Sequence, residues 1–138
     1  MSRVVLDSEA FNVLAGSPGS VRGREVRRVL AAARRTGSDV LVPTVVLAEL
    51  YRPGRLALVD ACLARRVDAP ACRDTDRTMA RMVGGVLAAA GAGSEDLADA
   101  HVVATAVEGG RSVVVTGDPN DIERLAAPYS SVTVVPLP

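Results

Sequence analysis

A chain of 138 residues with 49% apolar side chains is long enough for one domain with a substantial core. It contains no apolar run of about 18 residues, which excludes a membrane-spanning helix. Its start, MSRVVLDSEAF, lacks a charged-then-apolar signal pattern, so the expected location is the cytoplasm. Net charge is zero but unevenly spread: residues 1–83 hold 14 arginines against 9 acids, residues 84–138 hold 2 against 7, and lysine is absent. A basic part suits RNA phosphates or an acidic partner, and an acidic part suits a metal ion; an ordinary solvated surface is equally open.

In chain order, Arg3–Leu6 is a β-branched run that reads as an opening strand, with Asp7 at its carboxyl end. Ala10–Leu14 reads as a short helix closed by the Gly16–Gly19 turn region. Val21–Thr36 carries Val26, Val29, Leu30 and Ala33 at helical spacing with arginines on the other faces, and Gly37 stops it. Val40–Val42 is a second strand, and Pro43-Thr44 opens a helix running to Arg52, where Pro53-Gly54 ends it. Glu49 is the lone acid in an apolar window of that helix; a buried unpaired Glu is rare, and an outward-pointing one is the alternative.

Arg55–Arg65 reads as an amphipathic helix, Val67–Pro70 as a third strand, and Arg73–Ala90 as a helix broken by Gly91–Gly93. A central helix spans about 95–108, with Ser94 as N-cap and Gly109-Gly110 as its stop. Ser112–Val115 is a strand, about 120–126 a last helix, and Val132–Val135 a terminal strand. Strands alternating with helices predict an α/β fold around a mainly parallel sheet, in one domain covering 1–138. Cys62 and Cys72 fit no metal or redox spacing and read as reduced, structural thiols.

The stretch Ser94–Thr105 organises the rest. Asp96 and Asp99 are three residues apart, so on a helix they share a face, ahead of the apolar run Ala100–Ala106. At about 5 Å and an effective dielectric of about 20, two such charges repel by on the order of 3 kcal/mol. A bound cation offsets that repulsion; alternatively the acids simply occupy the first helical turn, which favours them. Ligands of open α/β folds gather beyond the carboxyl ends of the strands. Asp7, Asp118 and Glu49 all follow predicted strands, so they and Asp96 and Asp99 have a route to one rim. Such a carboxylate set, without a Cys/His cluster, suits Mg²⁺ or Mn²⁺ rather than zinc. Each acid keeps a plain alternative: Asp118 and Asp121 as helix-start acids, Asp7 as a turn former, Asp96 as a helix-dipole acid.

Other chemistries are unsupported. There is no G-x-x-x-x-G-K-[ST], no G-x-G-x-x-G and no G-x-S-x-G. His101 is the only histidine, which excludes any two-histidine mechanism, and it reads as a residue packed beside the core. With only Phe11, Tyr51 and Tyr129 as aromatics, base-stacking platforms are not expected.

Val4-Val5-Leu6-Asp7-Ser8, the helical Glu49, Asp99-Ala100-His101-Val102-Val103-Ala104-Thr105-Ala106 and Thr116-Gly117-Asp118 together resemble the four signature blocks of PIN domains. The similarity covers essentially the whole chain, and the VapC-type toxins of bacterial toxin–antitoxin pairs are the subgroup it resembles most. Glu9 and His101 depart from the residues frequent at those positions in the family. The resemblance implies a three-layer α/β/α fold and an Mg²⁺- or Mn²⁺-dependent endoribonuclease. It implies Asp7, Glu49, Asp99 and Asp118 as the metal-holding catalytic acids, with Asp96 auxiliary and Thr116 bonding a water or substrate nearby. It implies further an RNA substrate, a VapB-like antitoxin covering the site, and a homodimer. The competing class is a non-catalytic PIN-like or receiver-like binding module; the absence of lysine counts against a receiver, and all four acids being present counts against a degenerate PIN domain.

Overall fold

The computed structural model describes residues 2–138. Five strands form one sheet: β1 (Arg3–Leu6), β2 (Asp39–Pro43), β3 (Ala71–Arg73), β4 (Ser112–Thr116) and β5 (Val132–Pro136). All neighbours pair in parallel, in the order β3-β2-β1-β4-β5. The helices are α1 (Ser8–Gly16), α2 (Val21–Thr36), α3 (Thr44–Leu50), α4 (Leu56–Leu63), α5 (Arg77–Ala90), α6 (Leu97–Glu108) and α7 (Pro119–Ala126). The chain steps from β1 outward to β2 and β3, then crosses back to β4 and β5. Right-handed crossovers therefore place α1–α4 on one face and α5–α7 on the other. The contacts agree, since α1 packs on α2, α3 and α4, while α5, α6 and α7 pack on one another. This is the three-layer α/β/α arrangement with a parallel central sheet.

The core is aliphatic. Val4, Val5 and Leu6 of β1 are fully buried, as a parallel strand covered on both faces requires. Phe11 is the one fully buried aromatic among the described residues. Helix α6 is enclosed along Ala100–Ala106, so its polar members bond within the helix. The Thr105 hydroxyl donates to the His101 carbonyl at 2.7 Å, and His101 Nδ1 donates to the Leu97 carbonyl at 2.8 Å. His101 is thus packed beside the core, as read from the sequence. Both cysteines are free thiols, Cys62 buried and Cys72 exposed. None of the described helices is long and apolar enough to cross a membrane.

Four local expectations are corrected. The third strand is Ala71–Arg73, not Val67–Pro70, because Asp68 adopts a left-handed φ of 63° and pairs with Arg34 and, at 3.8 Å, with Arg27. Helix α5 starts at Arg77, not Arg73: Arg73 belongs to β3, and the Asp76 carboxylate caps the helix by accepting from Met79 N at 2.8 Å. Helix α4 is shorter than Arg55–Arg65, because Arg65 turns away to donate to the carbonyls of Leu14 and Ala15. Ser94 caps nothing with its side chain; it opens a 3₁₀ turn, Ser94–Asp96, that leads into α6.

Candidate metal centre

The strand order reverses beside β1, between β1 and β4, the place where open α/β sheets leave a crevice for a ligand. Register makes the ends of these strands level: Leu6 pairs with Val115, and Asp7 N donates to the Val115 carbonyl. Asp7 is 4% exposed, and both its oxygens accept hydrogen bonds. Its Oδ1 accepts from Ala10 N at 2.8 Å, capping α1, and its Oδ2 accepts from Thr116 Oγ1 at 2.5 Å and Gly117 N at 3.1 Å. Burial pushes its pKa up, the three hydrogen bonds oppose that, and the Glu9 charge adds to it. Asp7 does form a turn, as its plain reading holds, and it also ties β1 to the end of β4.

Thr116 works through Asp7. Its buried hydroxyl donates to that carboxylate and accepts from Asp118 N at 2.8 Å, so it fixes the loop. Asp118 occupies the N-cap position of α7 without making a side-chain cap bond, which leaves its exposed carboxylate available.

Asp99, in the first turn of α6, is half-buried, and its pKa is raised to about 6. Burial is the main cause, followed by the negative charges of Asp118, Asp7, Asp121 and Glu49. The charges of Asp7, Glu49, Asp118 and Asp121 thus all bear on one acid of α6. Glu49 contributes from an exposed position on α3, so it is not the buried lone acid its apolar window suggests; α3 packs on α6 and turns that residue outward.

Carboxylate oxygens of Asp96, Asp99 and Asp121 lie within 4.8 Å of one another, an acidic cluster able to hold a metal ion. Asp96 is nearly buried and accepts from Arg124 Nη2 at 2.9 Å, and the same nitrogen stands 3.8 Å from Asp121. The Asp118 carboxyl beside it raises the pKa of Asp121. Sequence reading treated Asp121 only as a helix-start acid. The i,i+3 spacing that joins Asp96 to Asp99 also joins Asp118 to Asp121, and would have found it.

Glu9 also lies here. It accepts from Arg22 Nη2 at 2.5 Å and rests on Gly117, where a Cβ would come 1.7 Å from its Oε2. The grouped side chains Asp96, Asp99 and Asp121 offer only carboxylate oxygens, and oxygen donors fit a hard divalent cation.

The chain thus has a three-layer α/β/α fold with Asp7 and Asp118 just beyond the ends of β1 and β4. One chain of the crystal structure of VapBC2 from Rickettsia felis bound to a DNA fragment from their promoter has this fold. It matches with a TM-score of 0.65 at 13% identity, over 99% of both chains. A chain of DNA-bound VapBC from Salmonella typhimurium matches with a TM-score of 0.63 at 20% identity, over 99% of this chain and 98% of that one. No protein-family model and no curated protein matches the sequence.

Proposed function

We propose that the chain is a VapC-type toxin of a toxin–antitoxin pair: a single PIN domain over residues 1–138 that acts in the cytoplasm as an Mg²⁺- or Mn²⁺-dependent endoribonuclease. Asp7, Glu49, Asp99 and Asp118 hold the ion or ions and are the catalytic acids, with Asp96 auxiliary. The observation that carries this reading is Asp99 standing among the charges of Asp118, Asp7, Asp121 and Glu49 at the switch point of the sheet. The likeness to VapBC chains over nearly the whole length supports it, and supports a VapB-like antitoxin as partner. A homodimer belongs to the same reading.

Asp7, Glu49, Asp99 and Asp118 would hold the divalent cation, which would supply Lewis-acid activation of a water and stabilisation of negative charge on the phosphoryl group. The chain's own groups prepare for it. Thr116 and the Gly117 N–H hold Asp7 in one rotamer, and the Ala10 N–H favours its charged form. Thr116 also fixes the backbone that presents Asp118. Arg124 offsets one charge at the Asp96–Asp121 edge, and the remaining carboxylates leave the surroundings of Asp99 strongly negative. No histidine base is required, in keeping with His101 being committed inside α6.

The test is cleavage of a labelled RNA by purified protein with Mg²⁺ or Mn²⁺. Internal cuts that stop with chelator and return with metal support the reading. Cleavage undiminished in excess chelator, or none with metal demonstrably bound, contradicts it.

A further inference from the structure

The basic excess of the chain sits on one helix. Val21–Thr36 of α2 includes six arginines and a single acid, Glu25, leaving this helix at +5 in a chain of zero net charge. Elsewhere in residues 1–83 eight arginines balance eight acids. The helix buries Val26, Val29, Leu30 and Ala33. At 3.6 residues per turn, Arg24, Arg28 and Arg35 fall on the line opposite, and all three are exposed. Arg27 and Arg34 stand to one side, where both pair with Asp68.

The charges on the outward line are only partly spent. Arg28 is held by Glu25 at 3.0 and 2.6 Å, and Arg24 donates one bond to the Gly19 carbonyl at 2.7 Å. Arg35 makes no ion pair or hydrogen bond among the described residues. The helix also begins at the metal centre. Arg22, in its first turn, holds Glu9, and Glu9 rests on Gly117 between Thr116 and Asp118. From Arg22 to Arg35 the helix spans roughly 20 Å at about 1.5 Å per residue.

A line of cations along the outer face of a helix whose first turn reaches the metal centre through Arg22, on its inner side, fits a polyanion whose own phosphates continue from that centre. Resting on the nuclease reading above, we infer that the outer face of α2 is the track of the RNA strand leading away from the scissile phosphate. Arg24, Arg28 and Arg35 contact its backbone. Such contacts position the strand and carry no sequence information. Stacking adds little to them, because the chain has three aromatics and Phe11 is buried.

The track makes a quantitative demand. Binding to single strands releases counterions, so log K falls with log salt by about 0.7 per phosphate contacted. The experiment measures anisotropy of a labelled oligouridine over a salt series, with Asp99→Asn in every protein so that the strand stays whole. Adding Arg24→Gln, Arg28→Gln and Arg35→Gln should flatten the slope by about two units. Adding Arg77→Gln and Arg81→Gln, exposed on α5, should leave it unchanged. With Asp99 intact, the α2 triple variant should raise KM for long RNA about tenfold or more, with kcat kept and with dinucleotide cleavage unaltered. All proteins should melt alike. An unaltered slope in the triple variant, or equal flattening by the α5 pair, overturns the track while RNA cleavage by the parent preserves the nuclease reading. Unchanged RNA binding with loss of an acidic protein partner overturns it in favour of a protein face. A parent that neither binds nor cuts RNA removes both readings.

Discussion

Asp7 does two jobs with one carboxylate: it caps α1 and it receives Thr116 and Gly117 from the end of β4. Thr116→Val should therefore lower stability by about 1–3 kcal/mol, the usual cost of leaving a buried partner short of a bond. It should also weaken Mn²⁺ binding; melting and metal titration check both. Asp99 carries the opposite balance, since its charge opposes its neighbours. Asp99→Asn should hold or raise the stability of the metal-free protein while abolishing metal binding and RNA cleavage together. An active Asp99→Asn protein would end its assignment as a catalytic acid. Gly117→Ala tests a different contact. The added methyl must push Glu9 off the loop, but Glu9 is a flexible, partly exposed side chain. The cost should be that of a surface ion pair, about 1 kcal/mol or less in a denaturation curve.

Elements were legible where a single physical signal dominated. The buried strands β1 and β4 and the enclosed run Ala100–Ala106 stand out as apolar stretches, and the arginine-faced α2 shows helical spacing with a glycine stop. The third strand was misplaced because Val67–Pro70 looks extended in sequence. Only the long-range pairing of Asp68 with Arg34 and Arg27 reveals the left-handed turn there. The orientation of Glu49 stayed open in the sequence for a related reason: local composition shows apolar neighbours but not which way α3 rolls against α6. Glu108, at the end of α6, had no visible role in the sequence. It accepts from Arg3 at 2.9 Å and from Arg73 at 2.9 and 2.6 Å, joining α6 to β1 and β3. These bonds, chiefly those from Arg73, hold its pKa at about 2, below the usual 4.5. Its contribution is complete above 4.5 and is lost as pH falls toward 2. Glu108→Gln should cost on the order of 1 kcal/mol at neutral pH, after screening, and little at pH 2, in paired denaturation curves.

At the scale of the molecule, the acidic centre and the Glu108 junction respond to pH in opposite directions. Asp99 has a folded pKa of about 6 against an ordinary 3.8, so the folded state binds the extra proton. Without metal, stability should rise as pH falls from about 6 toward 3.8, by on the order of 1–2 kcal/mol after allowing for partial exposure. Asp7, also raised, acts in the same direction. Below that window the loss at Glu108 takes over. Saturating Mg²⁺ should raise the melting temperature most at neutral pH and erase the gain on acidification, because the ion replaces the proton. The sequence already placed Asp7, Glu49 and Asp118 after strands and Asp96 and Asp99 at the start of the central helix. It did not show that Asp121 and Arg124 join them, because that requires the first turn of α7 to lie against the start of α6.

The central claim is that acids from β1, α3, α6 and the β4–α7 segment share one cation site. Anomalous diffraction from a crystal grown with Mn²⁺ tests it most directly. The account expects a peak at metal–oxygen distances of about 2.0–2.6 Å from Asp99 and from at least two of Asp7, Glu49 and Asp118. A peak held only at the Asp96–Asp121 edge, or no peak at the rim at millimolar Mn²⁺, would contradict it.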